Sequence, residues 1–246
     1  MHNILSPVQF NFIANYKIQI MKGLICSTLF VFLLLNSSLS AQTGIRLGFK
    51  GGYNIGTQYG IKPANIPYDV SSSARNGLVG GLILYFPITE SFGVQQEFLY
   101  VTKGSKQQVT MTQPPVSTTS EYKINYFEIP MVFRYTFAKI GNVGIYGSSG
   151  FALSTLLKGK YSVDGAVNIG GVKVPFGESG NTDGLDKFDY SFIYGLGMNF
   201  SLFKKECFFD YRQTIGWNTL MMPTSKGGEP APLRNQSYSM ALGFYL

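Results

Sequence analysis

Histidine is nearly missing from this chain: His2 is its only one in 246 residues. Cysteine is almost as scarce, with Cys26 and Cys207 alone. Two cysteines and one histidine cannot build the thiolate and imidazole sets that zinc sites use. They also leave Ser-His-Asp and Cys-His catalysis without its base. Charge is thin as well, at 13% of residues. The basic residues are scattered and form no stripe, which argues against nucleic-acid binding. No phosphate-binding glycine loop appears; stretches such as Gly195–Gly197 lack the strand–turn–helix setting of a nucleotide fingerprint. Beyond residue 42 no apolar run is long enough for a transmembrane helix. Helical periodicity is equally scarce, so an α-helical membrane protein is excluded along with most enzyme classes. The sequence points to no catalytic residue, no metal ligand and no cofactor.

The apolar residues begin with a leader. Residues 21–41 run from Met21 and Lys22 through the apolar core Leu24–Leu35 to small residues. This is the layout of a cleaved secretory signal peptide. Met21 is read as the start, with residues 1–20 an over-extended gene model or a tolerated extension. Cleavage after Ser40 or Ala41 removes Lys17, Lys22 and His2 but no acid, leaving 18 basic and 13 acidic residues. Residues 42–246 are then the mature domain. Cys207 is its only cysteine, so no intrachain disulfide forms despite the oxidising compartment that a leader implies.

What the mature chain has in plenty is aromatics (15%), glycine (29 residues) and alternation. In a strand, successive side chains point to opposite faces. Residues 125–137 show the consequence. Phe127, Ile129, Met131, Phe133, Tyr135 and Phe137 share one face, and Glu128 and Arg134 lie on the other. The same split recurs at 44–54, 92–101, 189–202, 207–217 and 237–246, while 76–86 is apolar on both faces and its register stays open. A further strand spans roughly 143–157. The links alternate short (87–91, 138–143, 204–206) and long (55–75, 102–122, 158–187, 219–236). Alternating short turns and long loops, with both ends on the short-turn side, require an even strand number.

The expected fold is therefore all-β: an eight-stranded antiparallel up-and-down transmembrane barrel of the outer-membrane type, with periplasmic termini. About eleven residues per strand at roughly 3.3 Å each, tilted near 45°, rise about 25 Å, the height of an outer-membrane apolar band. Aromatics near strand ends fit interfacial girdles: Phe86, Phe92, Phe137 and Phe203 at the short turns, and Tyr53, Tyr100 and Tyr122 toward the long loops. Pro130 cannot donate to a ladder. A bulge, or a water-satisfied carbonyl opposite it, is expected there.

Several pieces carry a family resemblance: residues 48–56 (GFKGGYNIG), 95–104 (QQEFLYVTKG), 126–137 (YFEIPMVFRYTF), 144–159 (GIYGSSGFALSTLLKG), 189–200 (DYSFIYGLGMNF) and 239–246 (SMALGFYL). Together and in this order they resemble the PorT-like family of outer-membrane β-barrel proteins from Bacteroidetes. The resemblance covers the mature chain nearly end to end. It implies an eight-stranded barrel but no single activity, and the secretion role of the founding member does not transfer with it.

Parity sends eight charges inward: Arg46, Lys50, Glu97, Glu128, Arg134, Asp189, Asp210 and Arg212, four of each sign. A barrel of eight strands has an interior just wide enough for side chains. Charges there must pair or reach water, so a salt-bridged polar plug is expected, structural or conducting. Three functions fit this reading: a structural or interaction protein accessory to secretion or envelope assembly, a narrow channel or small-ligand transporter, and a lipid-acting membrane enzyme. The last lacks a visible site. The expected setting is the outer membrane, reached by Sec export. The expected partners are its lipid and an envelope or secretion protein, with no nucleic acid. Nothing in the sequence fixes the oligomeric state.

Overall fold

A computed structural model describes residues 44–60, 69–111, 116–169, 172–181, 187–217, 220–222 and 231–246. The expected leader and the segment before it lie outside these residues.

Among the described residues there are ten strands: β1 (Arg46–Gly60), β2 (Asp69–Pro87), β3 (Phe92–Met111), β4 (Val116–Ile140), β5 (Val143–Ile169), β6 (Val172–Asn181), β7 (Phe188–Leu202), β8 (Lys205–Gly216), β9 (Leu220–Met222) and β10 (Ala231–Tyr245). Eight of them close a ring in the order β1-β2-β3-β4-β5-β7-β8-β10, completed by antiparallel pairing of β10 with β1 from Gly48↔Tyr245 to Gly60↔Leu233. The fold is an eight-stranded antiparallel barrel. Arg46 and Leu246 lie at the end that carries the short turns, where the Leu246 amide donates to the Leu47 carbonyl at 2.8 Å.

The ring follows from alternation. Ile83, Val132, Tyr146 and Phe208 are fully buried inside. Leu82, Tyr135, Phe151, Leu196, Met198 and Leu242 are exposed on the outer wall. The register left open for residues 76–86 resolves with Val79 and Ile83 inward and Leu78 and Leu82 outward. Between Phe127 and Phe137, about ten residues at roughly 3.3 Å and a 45° tilt give a band close to 25 Å tall. Tyr53, Tyr100, Phe137 and Phe203 stand exposed near its edges. Tyr122 does not: it packs against Ile124 and Tyr126 on the inner face, as its even position in β4 dictates.

The expected long loops are largely strand. β4 has 25 residues and β5 has 27, well beyond what a bilayer needs. Past the barrel, β2 pairs with β3 (Asp69↔Thr110), β3 with β4, β4 with β5 and β5 with β6. The upper halves of these strands thus form an extension sheet. Its β-branched residues, such as Thr118, Thr119 and Val163, suit a ladder. They lack apolar alternation because water wets both faces, and so the sequence reads there as loop.

Pro130 sits in an unshifted register, and no bulge forms. Its ladder to β5 is unbroken at Pro130↔Ala152, while the ladder to β3 lapses between Gln96↔Met131 and Leu99↔Glu128. A side chain reaches into the gap. The Gln96 amide donates to the Pro130 carbonyl at 2.9 Å and to the Glu97 carbonyl at 3.3 Å. Gln96 is the polar exception among the outward β3 residues Phe92, Val94, Phe98 and Tyr100, and the missing proline N–H explains it. Gln96→Leu strands two carbonyls in the barrel wall and should cost about 1–3 kcal/mol. Adding Pro130→Val restores a backbone donor and should recover most of that loss in urea unfolding. A Gln96→Leu barrel as stable as wild type would show that the cap contributes nothing.

Candidate functional site

The interior is layered along the barrel axis. Nearest the short turns, Arg134 of β4 is 3% exposed. Its guanidinium lies 3.7 Å from the Tyr146 ring centroid, 5.0 Å from Tyr85 and 5.4 Å from Phe208. It donates to Gln95 Oε1 (2.6 Å), Tyr245 Oη (2.6 Å) and Asn199 Oδ1 (2.5 Å). These hydrogen-bond partners are neutral, so cation–π attraction and oriented dipoles hold the charge. Two glycines make room for the rings. A Cβ on Gly197 would meet the Tyr146 ring at 2.3 Å, and one on Gly243 would meet Phe208 at 2.2 Å.

Above this cage lies a four-charge cluster. Glu97 of β3 pairs with Lys50 of β1 (2.9 Å) and Arg212 of β8 (2.7 Å). Asp210 of β8 pairs with Arg212 (2.6 Å) and Lys50 (3.6 Å), and also accepts from Tyr146. Gln95 donates to Glu97 and accepts from Arg134, linking this cluster to the cage.

A void of about 20 Å³, lined in part by Val79, Leu99, Val101 and Ile193, separates these charges from a second charged layer. In that layer Lys103 of β3 lies 2.7 Å from Glu128 and 3.8 Å from Asp189, with its ammonium over the Tyr126 ring at 5.3 Å. Ser154 donates to Glu128 at 2.9 Å, and Asn235 to Asp189 at 2.8 Å. Gln58 and Ser105 extend the chain of hydrogen bonds toward the long-loop side.

A closed ring with an apolar outer wall and a polar interior is the architecture of proteins that cross the outer membrane, and comparison with known families agrees. Residues 40–220 match the family model described as outer membrane protein beta-barrel domain. The chain belongs to this family. Outer membrane protein beta-barrel domains are resident in the outer membrane, and that is where this protein is placed. No curated protein matches the chain. Among solved structures it is similar to the outer membrane protein OprG from Pseudomonas aeruginosa, at 11% identity over 83% of this chain and 97% of that one, with a TM-score of 0.47. It is also similar to Neisserial surface protein A, at 9% identity over 83% of this chain and 100% of that one, with a TM-score of 0.41. A third likeness is to Ail, the attachment invasion locus protein of Yersinia pestis, at 11% identity over 83% and 100%, with a TM-score of 0.36.

Within this outer-membrane barrel, seven of the eight charges assigned inward by parity lie together: Lys50, Glu97, Glu128, Arg134, Asp189, Asp210 and Arg212 are all buried. Arg46 is set apart from them. It stands at the short-turn mouth with a side chain 38% exposed and pairs with Glu206. Its place among the buried cations is taken by Lys103, so the charges enclosed among the described residues still balance at four of each sign. Carrying the parity of β3 two residues past Val101 would have found Lys103; a strand ended too early hid it. The same rule places Tyr146, Phe208 and Tyr245, the cage around Arg134, on the inner face.

The extension carries charge of its own. Glu121 accepts from Arg75 at 2.7 Å and lies 3.5 Å from Lys106. The Arg75 hydrogen bond holds its carboxyl below the ordinary value of 4.5. A lowered carboxyl pKa stabilises the fold above the ordinary carboxylate range, and the contribution is lost as pH falls through the depressed folded value. Amide exchange in residues 116–124 should therefore quicken on acidification below that range, relative to the intrinsic exchange rate. Glu121→Gln should flatten this pH dependence, and an unchanged profile would show that the pair contributes nothing.

Proposed function

We propose that this protein is a non-enzymatic structural or interaction barrel of the outer membrane, plugged by its own side chains, within the PorT-like branch and exported through a cleaved leader. The observation that carries this reading is the interior itself. Among the described residues, eight buried charges of zero net sum, seven in two hydrogen-bonded layers and Arg134 in the aromatic cage beneath, leave a void of about 20 Å³ between the layers. That volume is on the scale of one water molecule. Function then falls to the surfaces outside the bilayer. The extension sheet presents Val172, Val174 and Phe176 exposed on β6, a surface suited to an envelope or secretion partner.

A narrow conduit is the second reading, favoured by buried polar atoms that have no hydrogen-bond partner among the described residues and are spread along the interior: Ser148 Oγ, Ser191 Oγ and Asp189 Oδ1. Planar-bilayer recording separates the two. The plugged barrel passes no current above leak, whereas discrete conductance steps that vary with substitutions at Lys50 or Asp210 would replace it with the channel.

A further inference from the structure

Just beyond the apolar band, the outer face of the wall carries a like-charge cluster. In the β4–β5 ladder Lys123 lies directly opposite Lys160, and Asn125 directly opposite Lys158. Lys158 and Lys160 are two residues apart in β5 and share a face, so Lys158 is the diagonal neighbour of Lys123. Like charges directly opposite on a sheet repel, yet three lysines meet here. All three side chains are exposed, and no ion pair to any of them is present among the described residues. Glu121, the acid two residues from Lys123 on the same face, is already engaged by Arg75 and Lys106. Asp164 lies four residues along from Lys160. Fold stability does not account for the arrangement, whereas a bound anion would.

The depth of the cluster names the anion. Phe127 is outward and exposed at the upper edge of the band, with Tyr100 directly opposite it in β3 and itself exposed. Lys123 is four residues further along β4. At roughly 3.3 Å per residue and a 45° tilt, that places it about 9 Å above the band edge, at the level of lipid headgroups. Leu157, the unpaired residue at the register shift before Lys158, is exposed between the lysines and the band. We propose that Lys123, Lys158 and Lys160 form a binding site for the phosphate-bearing headgroup of a membrane lipid at the long-loop side of the barrel. The site rests on the outer-membrane reading and adds a specific lipid class to it. Three ammonium groups on one flat face neutralise a lipid phosphate, while the neighbouring wall holds its acyl chains.

The test uses the full protein in nanodiscs of phosphatidylcholine doped with lipid A, either diphosphorylated or enzymatically dephosphorylated. The ratio of the two forms retained by the purified barrel is read by mass spectrometry. Each lysine at a membrane surface contributes about fivefold to binding an anionic lipid, so Lys123→Gln/Lys158→Gln/Lys160→Gln should lose about a hundredfold of the wild-type preference. Lys173→Gln, on exposed β6, should retain it. The wild-type preference should weaken as salt is raised. Equal retention of both lipid forms by wild type, or a preference that survives the triple substitution, overturns the proposal. So does free inorganic phosphate that competes as well as the lipid, since that marks a soluble-anion site. A barrel that enters no nanodisc at all overturns the membrane reading with it, which separates the two failures.

Discussion

Glu97→Gln should cost the barrel about 3–5 kcal/mol. Glu97 is fully buried; with Asp210 it joins Lys50 to Arg212, and it also receives a hydrogen bond from Gln95. Removing its charge leaves two buried cations sharing Asp210, at 3.6 Å and 2.6 Å, and gives the interior a net charge of +1. Desolvated charge without a partner is what makes breaking such a pair far costlier than never having built it. Urea unfolding in lipid, followed by the heat-modifiable gel shift, reads the loss. Two companions sharpen the result. Arg46→Gln breaks an ion pair at the exposed mouth and should cost no more than about 1 kcal/mol. Lys50→Met added to Glu97→Gln restores neutrality and should recover part of the loss. A Glu97→Gln barrel as stable as wild type would mean that water reaches this cluster.

The period of two made most of this interior legible. Once a strand is recognised by its apolar outer face, every second residue is assigned inward without further information, and Glu128, Arg134, Asp210 and Arg212 follow at once. What the rule lacks is a stopping point. It ended β3 at Val101 because Thr102–Met111 is polar on both faces, and Lys103 went unseen. It began β1 early enough to send Arg46 inward, although a residue at the first position of a strand faces the mouth rather than the interior. The extension sheet was hidden for the same reason: outside the bilayer, nothing forces a strand to alternate. Gln96 shows a different limit. A glutamine on a lipid-facing wall is unintelligible from β3 alone. It makes sense only beside Pro130, 34 residues away, whose carbonyl it serves. Pairing between strands, not pattern within one, decides such positions.

Arg134 should prove as hard to replace by lysine as by alanine. Its fork spends one nitrogen on Gln95 and Tyr245 and the other on Asn199, while its flat face covers the Tyr146 ring at 3.7 Å. An ammonium cannot stack in that way, nor hold all three acceptors in one plane. Both substitutions should cost about 3 kcal/mol, the sum of a desolvated cation–π contact and charge-assisted hydrogen bonds less what the cage regains by collapsing. Current is the second readout. Arg134→Ala opens the short-turn mouth only as far as Glu97 and Asp210, where Lys50 and Arg212 still bridge β1, β3 and β8. The variant should therefore stay closed in planar bilayers although it is less stable. Current through Arg134→Ala alone would show that the cage is the whole barrier and that the four charges above it line a path. The same residues would then serve conduction, and the choice between plug and channel turns on whether stability and closure are lost together or separately.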